Sequence, residues 1–375
     1  MTVAVVGGGQ LGRMLALAGV PLGRRFRFLD PSADAPARAV GELVVGAYDD
    51  DDALARLAAD AEVVTYEFEN LPVDGLARLA ARGVVVRPPV RALEIGQERL
   101  AEKQLFDGLG IEVAPYAAVD TLEGLEAAAQ VIGLPVVAKT RRFGYDGKGQ
   151  AVIREPREIE EAWIHLGGRP LLVERLVRFT REVSILAVRA PNGALATYPL
   201  VENHHAQGIL RLSLAPAPGT SPALEAEARR IAEQVAEALD HVGVLAVELF
   251  EVDGRLLANE LAPRVHNSGH WTIEGAETSQ FENHVRAVLG LPLGSVRATR
   301  PTAMVNLISE LPATEALLAV PGAHVHLYGK APKPGRKLGH VTVVADDART
   351  LVDRLEMLGR LVPLPREPLE RLAGR

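Results

Sequence analysis

The chain has no cysteine among its 375 residues. That excludes disulfides, thiolate metal sites and a cysteine nucleophile. Aromatic residues are scarce at 4 %, too few to suggest a base-stacking platform, and a net charge of −7 speaks further against a nucleic-acid partner. No apolar run reaches the roughly 18–20 residues of a membrane-spanning helix. Met1 leads at once into an apolar strand without a basic leader, which fits a cytoplasmic protein. Lysine is the last deficit. Of 41 basic residues, the lysines are only Lys103, Lys139, Lys148, Lys330, Lys333 and Lys337. Where arginine is the default cation, surviving lysines mark places that want a compact ammonium.

The densest chemistry lies at 137–150. Lys139 closes an apolar run, and a loop with Gly144, Gly147, Gly149 and Lys148 follows. Glycine lets successive backbone N–H groups turn toward one anion, and ammonium groups suit phosphate. The pattern predicts a nucleotide polyphosphate as ligand.

The N-terminal part alternates strand and helix. Strands are expected at 3–6, 27–29, 63–66 and 84–86, and helices at 13–18, 51–59 and 73–82, as in a parallel α/β sheet. Gly7, Gly9 and Gly12 form G-x-G-x-x-G between strand and helix, with Asp30 farther on. This is the fingerprint of dinucleotide binding, so a dehydrogenase is the competing function. The phosphate-suited lysines lie far from it. The glycines are therefore expected to bring backbone close to another phosphate or to a substrate. The acid run Asp49–Asp52 is read as favouring a helix N-terminus. Glu67, Glu69 and Asn70 follow a strand at its carboxyl end and suit a polar substrate.

A helix over 97–109 places Arg99 and Lys103 on one face. A smaller module runs from Pro115 to about Val177, with helices at 122–132 and 158–165 and strands at 136–139, 151–153 and 171–174. The run ending at Glu174 reads as a sheet edge whose backbone could hold a purine, with Glu182 available for a ribose.

Strands over 244–252 and 255–260 flank Asp253-Gly254, a hairpin signal. They carry Glu248 and Glu260, and two carboxylates with phosphate oxygens and water are what Mg2+ takes. A strict two-residue turn would set Glu248 beside Asn259 and leave Glu260 on the other face. A three-residue loop, Val252-Asp253-Gly254, with a glycine bulge would bring the two carboxylates to one face. The metal reading requires that bulge or an equivalent irregularity. Just beyond, Arg264, His266 and Asn267 are three donors in four positions and suit a small oxyanion.

Taken in order, Lys139 with the glycine loop, Glu174–Val177, Glu182, Glu248 and Asn259-Glu260 resemble the ATP-grasp superfamily. Five stretches resemble the family of N5-carboxyaminoimidazole ribonucleotide synthetases within it. They are GGGQLG at 7–12, YEFEN at 66–70, FGYDGKGQ at 143–150, NELAPRVHNSGHW at 259–271 and PGRKLGH at 334–340. Ser279-Gln280-Phe281-Glu282 also fits. The resemblance spans nearly the whole chain.

The resemblance implies an ATP-grasp fold of the α/β class, α+β in parts. It implies an N-terminal parallel α/β domain over 1–98, an ATP-grasp domain over 99–290 with a small lid subdomain about 115–177, and a C-terminal α+β region over 291–375. It implies a cytoplasmic homodimer in purine biosynthesis that uses ATP, Mg2+ and bicarbonate to carboxylate 5-aminoimidazole ribonucleotide through carboxyphosphate. ATP would be held by Arg99, Lys139, Gly144, Tyr145, Asp146, Gly147, Lys148, Gly149, Gln150, Glu174, Arg175, Leu176, Val177, Glu182, Asn259, Glu260 and His205, with His204 adjacent as an alternative. Mg2+ would sit on Glu248 and Glu260. The ribonucleotide would meet Gly9, Gln10, Leu11, Glu67, Tyr145, Arg336 and Lys337. Arg264, His266 and Asn267 would orient bicarbonate, and Asp146 would handle the amine's proton. Another ATP-grasp carboxylase or formyl-phosphate ligase would share the nucleotide half but not the stretches at 259–271 and 334–340. A non-catalytic nucleotide-binding regulator would need no bicarbonate donors.

Overall fold

The computed structural model describes residues 1–142, 144 and 149–372, and among the described residues three sheets form. The first is parallel. It comprises β1 (Thr2–Val6), β2 (Arg25–Asp30), β3 (Glu42–Val45) and β4 (Ala61–Tyr66), in the order β3-β2-β1-β4. The fully buried run of β1 suits a strand covered on both faces. Val3, Val5 and Phe28 pack with Leu11, Met14 and Leu15 of α1 (Gln10–Gly19). Ala4, Val6 and Leu29 pack with α2 (Asp51–Ala58) and α3 (Val73–Ala81). The order puts β1 at the centre, so Gly7, Asp30 and Glu67 gather at the carboxyl ends of the strands, where open α/β sheets hold ligands.

Three local expectations change here. The run 84–86 contributes only a bridge, Val64 to Val86. β3 was not foreseen, because four residues show no period. The helix expected over 97–109 is α5 (Arg99–Gly108), and a short helix that was not foreseen, α4 (Val90–Gly96), precedes it. Glu98 interrupts them and caps α5, accepting from the N–H groups of Leu100 and Ala101. Asp50 caps α2 in the same way, the role read for the acid run.

The second sheet is small and antiparallel. Its strands are β5 (Tyr116–Val119), β6 (Val136–Thr140), β7 (Gln150–Ile153) and β8 (Leu171–Arg175), in the order β5-β8-β6-β7. α6 (Leu122–Ile132) and α7 (Ile159–His165) bury Leu125, Ile132, Ile159 and Ala162 against it. β8 pairs with β5 on one side and β6 on the other. The strand carrying Glu174 is therefore interior rather than an edge, and the chain leaves this sheet after Arg175.

The third sheet has nine strands among the described residues: β9 (Arg181–Arg189), β10 (Leu195–Thr197), β11 (Val201–Ala206), β12 (Ile209–Ala215), β13 (Gly243–Val252), β14 (Arg255–Ala262), β15 (Thr302–Ile308), β16 (Ala323–Leu327) and β17 (Lys337–Val344). β14 is an edge, followed by β13, β9, β11, β12, β15, β17 and β16, with β10 on β9. Pairing of β12 with β15 carries the sheet unbroken into the C-terminal part of the chain. Among the described residues no helix is long and apolar enough to cross a membrane.

Candidate active site

The hairpin of β13 and β14 turns through two residues, not three. Asp253 and Gly254 both have positive φ, 49° and 76°, and Val252 pairs with Arg255. A two-residue turn of this hand matches the twist of the flanking strands. The irregularity lies deeper. Leu249 pairs with Ala258 but Glu248 pairs with Glu260, so Asn259 is one residue too many. This bulge cancels the alternation and sets the two carboxylates opposite each other on one face. Glu248 Oε1 is 3.1 Å from His266 Nε2, and Glu260 Oε2 takes Arg99 Nη1 at 3.0 Å. Burial opposes charge on Glu248, but His266, His205 and Lys337 outweigh it and hold its pKa down at about 2.

Both carboxylates line a cavity of about 890 Å³ between the hairpin and the small sheet. Lys139 on β6 enters it and sits 2.5 Å from Glu174 Oε2, while Lys103 on α5 takes Glu174 Oε1 at 2.7 Å. Despite burial, the two ammonium groups bring Glu174 down to about 2. Burial dominates at Lys103 instead and lowers its pKa in spite of the pair. His205 Nδ1 lies 2.8 Å from Glu182 Oε2, and both face the cavity. A register shift between His204 and His205 separates the neighbours, and His204 turns to Glu202 at 2.8 Å. Arg99, Gly144, Gln150, Leu176 and Asn259 also line the cavity. Arg175 does not join them: its guanidinium donates to the Ile132 carbonyl.

Arg264, His266 and Asn267 reach the same cavity, each already held by protein partners. Arg264 Nε donates to Glu69, and its Nη1 to the Val265 carbonyl at 3.0 Å. Burial opposes the charge on Glu69, yet Arg264 keeps its carboxyl below the usual range. The His266 ring is fixed between Ser268 Oγ at 2.9 Å and Glu248. Asn267 and Asn306 exchange amide hydrogen bonds at 3.1 and 2.7 Å. The arrangement is a set of oriented donors.

The glycine motif at the N-terminus serves the chain's own Glu67. That carboxylate accepts from the N–H groups of Gly9 and Gly12 at the start of α1. A Cβ on Gly9 would lie 2.3 Å from it. Asp30 Oδ2 takes the Gly8 N–H at 2.9 Å and the Tyr48 hydroxyl at 3.0 Å. Glu67 takes the N–H groups that a pyrophosphate would use, while Gly9 and Asp30 also line an open cavity.

The residues expected to meet the ribonucleotide divide. Gln10, Leu11 and Lys337 line the carboxylate cavity. Gly9 and Arg336 line a second cavity of about 930 Å³, with Asp30, Tyr328 and Lys330. Glu67 is buried beneath the loop between them. Tyr145, Asp146, Gly147 and Lys148 lie outside the described residues. Sequence reasoning did not single out Glu98, which binds Arg141 at 2.8 Å where β6 ends, nor Asn306. It noted Lys103 as a rare lysine on one helix face with Arg99, without a role.

Comparison with known proteins gives three matches along the chain. Residues 1–97 match the ribonucleotide synthetase preATP-grasp domain, 104–281 the ATP-grasp domain, and 302–354 the phosphoribosylaminoimidazole carboxylase C-terminal domain. The N5-carboxyaminoimidazole ribonucleotide synthase of Pseudomonas aeruginosa is 50 % identical over 96 % of this chain and 99 % of its own. The crystal structure of the corresponding synthetase from Thermus thermophilus is 57 % identical, with a TM-score of 0.93 over 97 % of this chain and 99 % of that one. The Aspergillus clavatus enzyme in complex with ADP and 5-aminoimidazole ribonucleotide is 33 % identical, with a TM-score of 0.88 over 96 % and 99 % of the two chains.

Proposed function

The chain belongs to the family of N5-carboxyaminoimidazole ribonucleotide synthases, and we propose that it joins bicarbonate to the exocyclic amine of 5-aminoimidazole ribonucleotide at the expense of ATP. The observation that carries this reading is the convergence of Glu248 and Glu260 through the Asn259 bulge, facing Lys139 across one cavity.

The donor set fits the ligands. Among the described residues no three His, Asp or Glu side chains form a ready metal cage. Two facing carboxylates are what a hard cation takes when phosphate and water complete its shell. Glu248 and Glu260 would hold Mg2+, which neutralises polyphosphate charge. Lys139, with Gly144, Gly149 and Gln150, would position the phosphates, and Glu182 with His205 the ribose. Phosphoryl transfer asks mostly for such positioning and charge neutralisation.

Arg264, His266 and Asn267 would orient bicarbonate so that its oxygen attacks the γ-phosphorus and ADP leaves. The amine nitrogen then bonds to the carboxyl carbon, phosphate departs, and the amine loses one proton, for which Asp146 is the candidate. Arg336 and Lys337 suit the ribonucleotide's phosphate. The loop 143–150 would exclude water from the reactive mixed anhydride. A cytoplasmic homodimer belongs to the same reading and rests on the family alone. The test is ADP release from ATP and bicarbonate, with and without 5-aminoimidazole ribonucleotide. Release that ignores both co-substrates would overturn the assignment.

A further inference from the structure

The carboxylate pair depends on one extra residue in an edge strand, and that raises the question of what keeps Asn259 extra. A bulge interrupts the ladder and leaves backbone groups without strand partners. In a regular strand, successive carbonyls point to opposite edges and successive side chains to opposite faces. At the bulge both rules fail. Lys103 Nζ donates to the Ala258 carbonyl at 3.3 Å and to the Asn259 carbonyl at 2.7 Å, two consecutive residues. Asn259 and Glu260 both face the cavity. The third N–H of the ammonium goes to Glu174 at 2.7 Å, so all three donors are used. The neighbouring residue on α5, Glu102, accepts from the Leu261 N–H at 3.0 Å. The Ala258 N–H is taken by the Glu112 carbonyl at 2.8 Å. Every contact is to the outer side of β14, which has no further strand beyond it. Lys103 and Glu102 are 2 % and 4 % exposed, so water does not substitute for them.

We infer that Glu102 and Lys103 are positioning residues for the metal-binding carboxylates: from α5 they clamp the Asn259 bulge, and the register they hold puts Glu260 across from Glu248. Loss of the bulge would slip the strand by one residue and send Glu260 to the opposite face. Lys103 does not line the cavity, and Glu102 lines it with its carboxylate engaged by the Leu261 N–H. Their spacing as helix neighbours lets one turn of α5 grip residues on both sides of Asn259. Arg99, one turn earlier, reaches Glu260 itself.

The inference rests on the ATP and metal reading of the site, and the experiment separates the two. Mn2+ binding in the presence of saturating ADP is followed by electron paramagnetic resonance, and ADP binding without metal by calorimetry. Glu102→Leu should weaken Mn2+ by about 10- to 100-fold, the range for residues that orient metal ligands. Metal-free ADP affinity should stay within about threefold, since the substitution alters neither Lys139 nor the glycine-rich sequence. Glu102→Gln should restore Mn2+ binding, because its amide oxygen accepts from the same Leu261 N–H. Lys103→Arg is the second variant. It keeps the charge opposite Glu174, but a guanidinium nitrogen has two N–H groups where the ammonium has three, so one nitrogen cannot serve both carbonyls and Glu174, and it should weaken Mn2+ as well. Unchanged Mn2+ affinity in both Glu102→Leu and Lys103→Arg overturns the clamp. So does a Glu102→Gln protein as weak as Glu102→Leu, which would assign the effect to charge rather than register. A wild-type protein that binds ADP but takes up no Mn2+ overturns the metal reading itself.

Discussion

Glu67 Oε2 accepts the Gly12 N–H at 2.6 Å, from a carboxylate 55 residues away in the chain. It occupies the anion seat at the N-terminus of α1, where aligned backbone N–H groups favour negative charge. The motif that reads as a dinucleotide fingerprint is thereby turned to an internal use. Gly7 and Gly9 are small because Glu67 packs against them. Burial raises the Glu67 pKa, and the two N–H donors and the nearby Lys330 ammonium oppose that shift. Lys330 also contacts Gln10, so the loop is tied to the C-terminal part of the chain.

Glu67→Ala should therefore destabilise the protein by about 2 kcal/mol or more, because two backbone donors lose their acceptor in a buried setting. Urea unfolding measures it. The wild-type protein should show no saturable NADH or NADPH binding by fluorescence, and Asp30→Ala should change nothing in that titration. Saturable binding that vanishes with Asp30 would restore the dehydrogenase reading.

Local pattern and distant partnership were unequally visible in the sequence. The lid elements could be read because Leu122–Ile132 and Val136–Thr140 have clear periods and are bounded by Gly133 and Pro135. The Asp253-Gly254 turn could be read from its residue types. The bulge at Asn259 could not, since nothing local distinguishes an extra residue in a strand from an ordinary one. Asn306, Glu102 and the pairing of Glu69 with Arg264 escaped for a different reason. Each acts on a partner far along the chain, 195 positions away for Glu69 and Arg264, and no spacing rule links them. Candidate residues such as Arg264 were visible by type, whereas the partners that aim them required the fold.

Glu174 makes acid stability testable. Its folded pKa of about 2 lies below the ordinary 4.5 because Lys139 and Lys103 flank it. A depressed carboxylate contributes its full share above the unfolded value and loses it as pH falls through the folded one. The window is thus pH 4.5 down to 2, and the share is about 3 kcal/mol. Unfolding free energy measured across that window should fall for the wild type. In Glu174→Gln that part of the slope should be missing and stability at pH 7 lower, since two buried ammonium groups lose their counter-charge. Parallel pH profiles for the two proteins would contradict the pairing.

Glu260→Gln separates function from folding. Its side chain is 39 % exposed and its pair with Arg99 is partly solvated, so stability should change by less than about 1 kcal/mol. ATP turnover should fall by about 30-fold or more, the equivalent of roughly 2 kcal/mol in the transition state. Thermal unfolding beside steady-state ADP release gives both quantities. Equal losses in the two would make Glu260 a structural residue.

Arg264 is the sharpest test of bicarbonate handling. Its guanidinium is aimed by Glu69 and by the Val265 carbonyl and faces the cavity that holds Glu248 and Lys139. An arginine fixed in this way presents a planar edge to a planar anion, and lysine cannot reproduce that geometry. Arg264→Lys should therefore behave nearly like Arg264→Ala. The loss is that of a buried charged hydrogen bond, about 2–4 kcal/mol in transition-state binding, or roughly 30- to 1,000-fold in turnover. Glu69→Gln keeps the arginine but loosens its aim, so it should give a smaller fall in the same direction. ATP affinity by calorimetry should hold for all three, because the proposed nucleotide contacts lie on Lys139, Glu182 and His205. An Arg264→Lys enzyme with normal ADP release would show that the arginine only braces Glu69, and that bicarbonate is oriented by His266 and Asn267 without it.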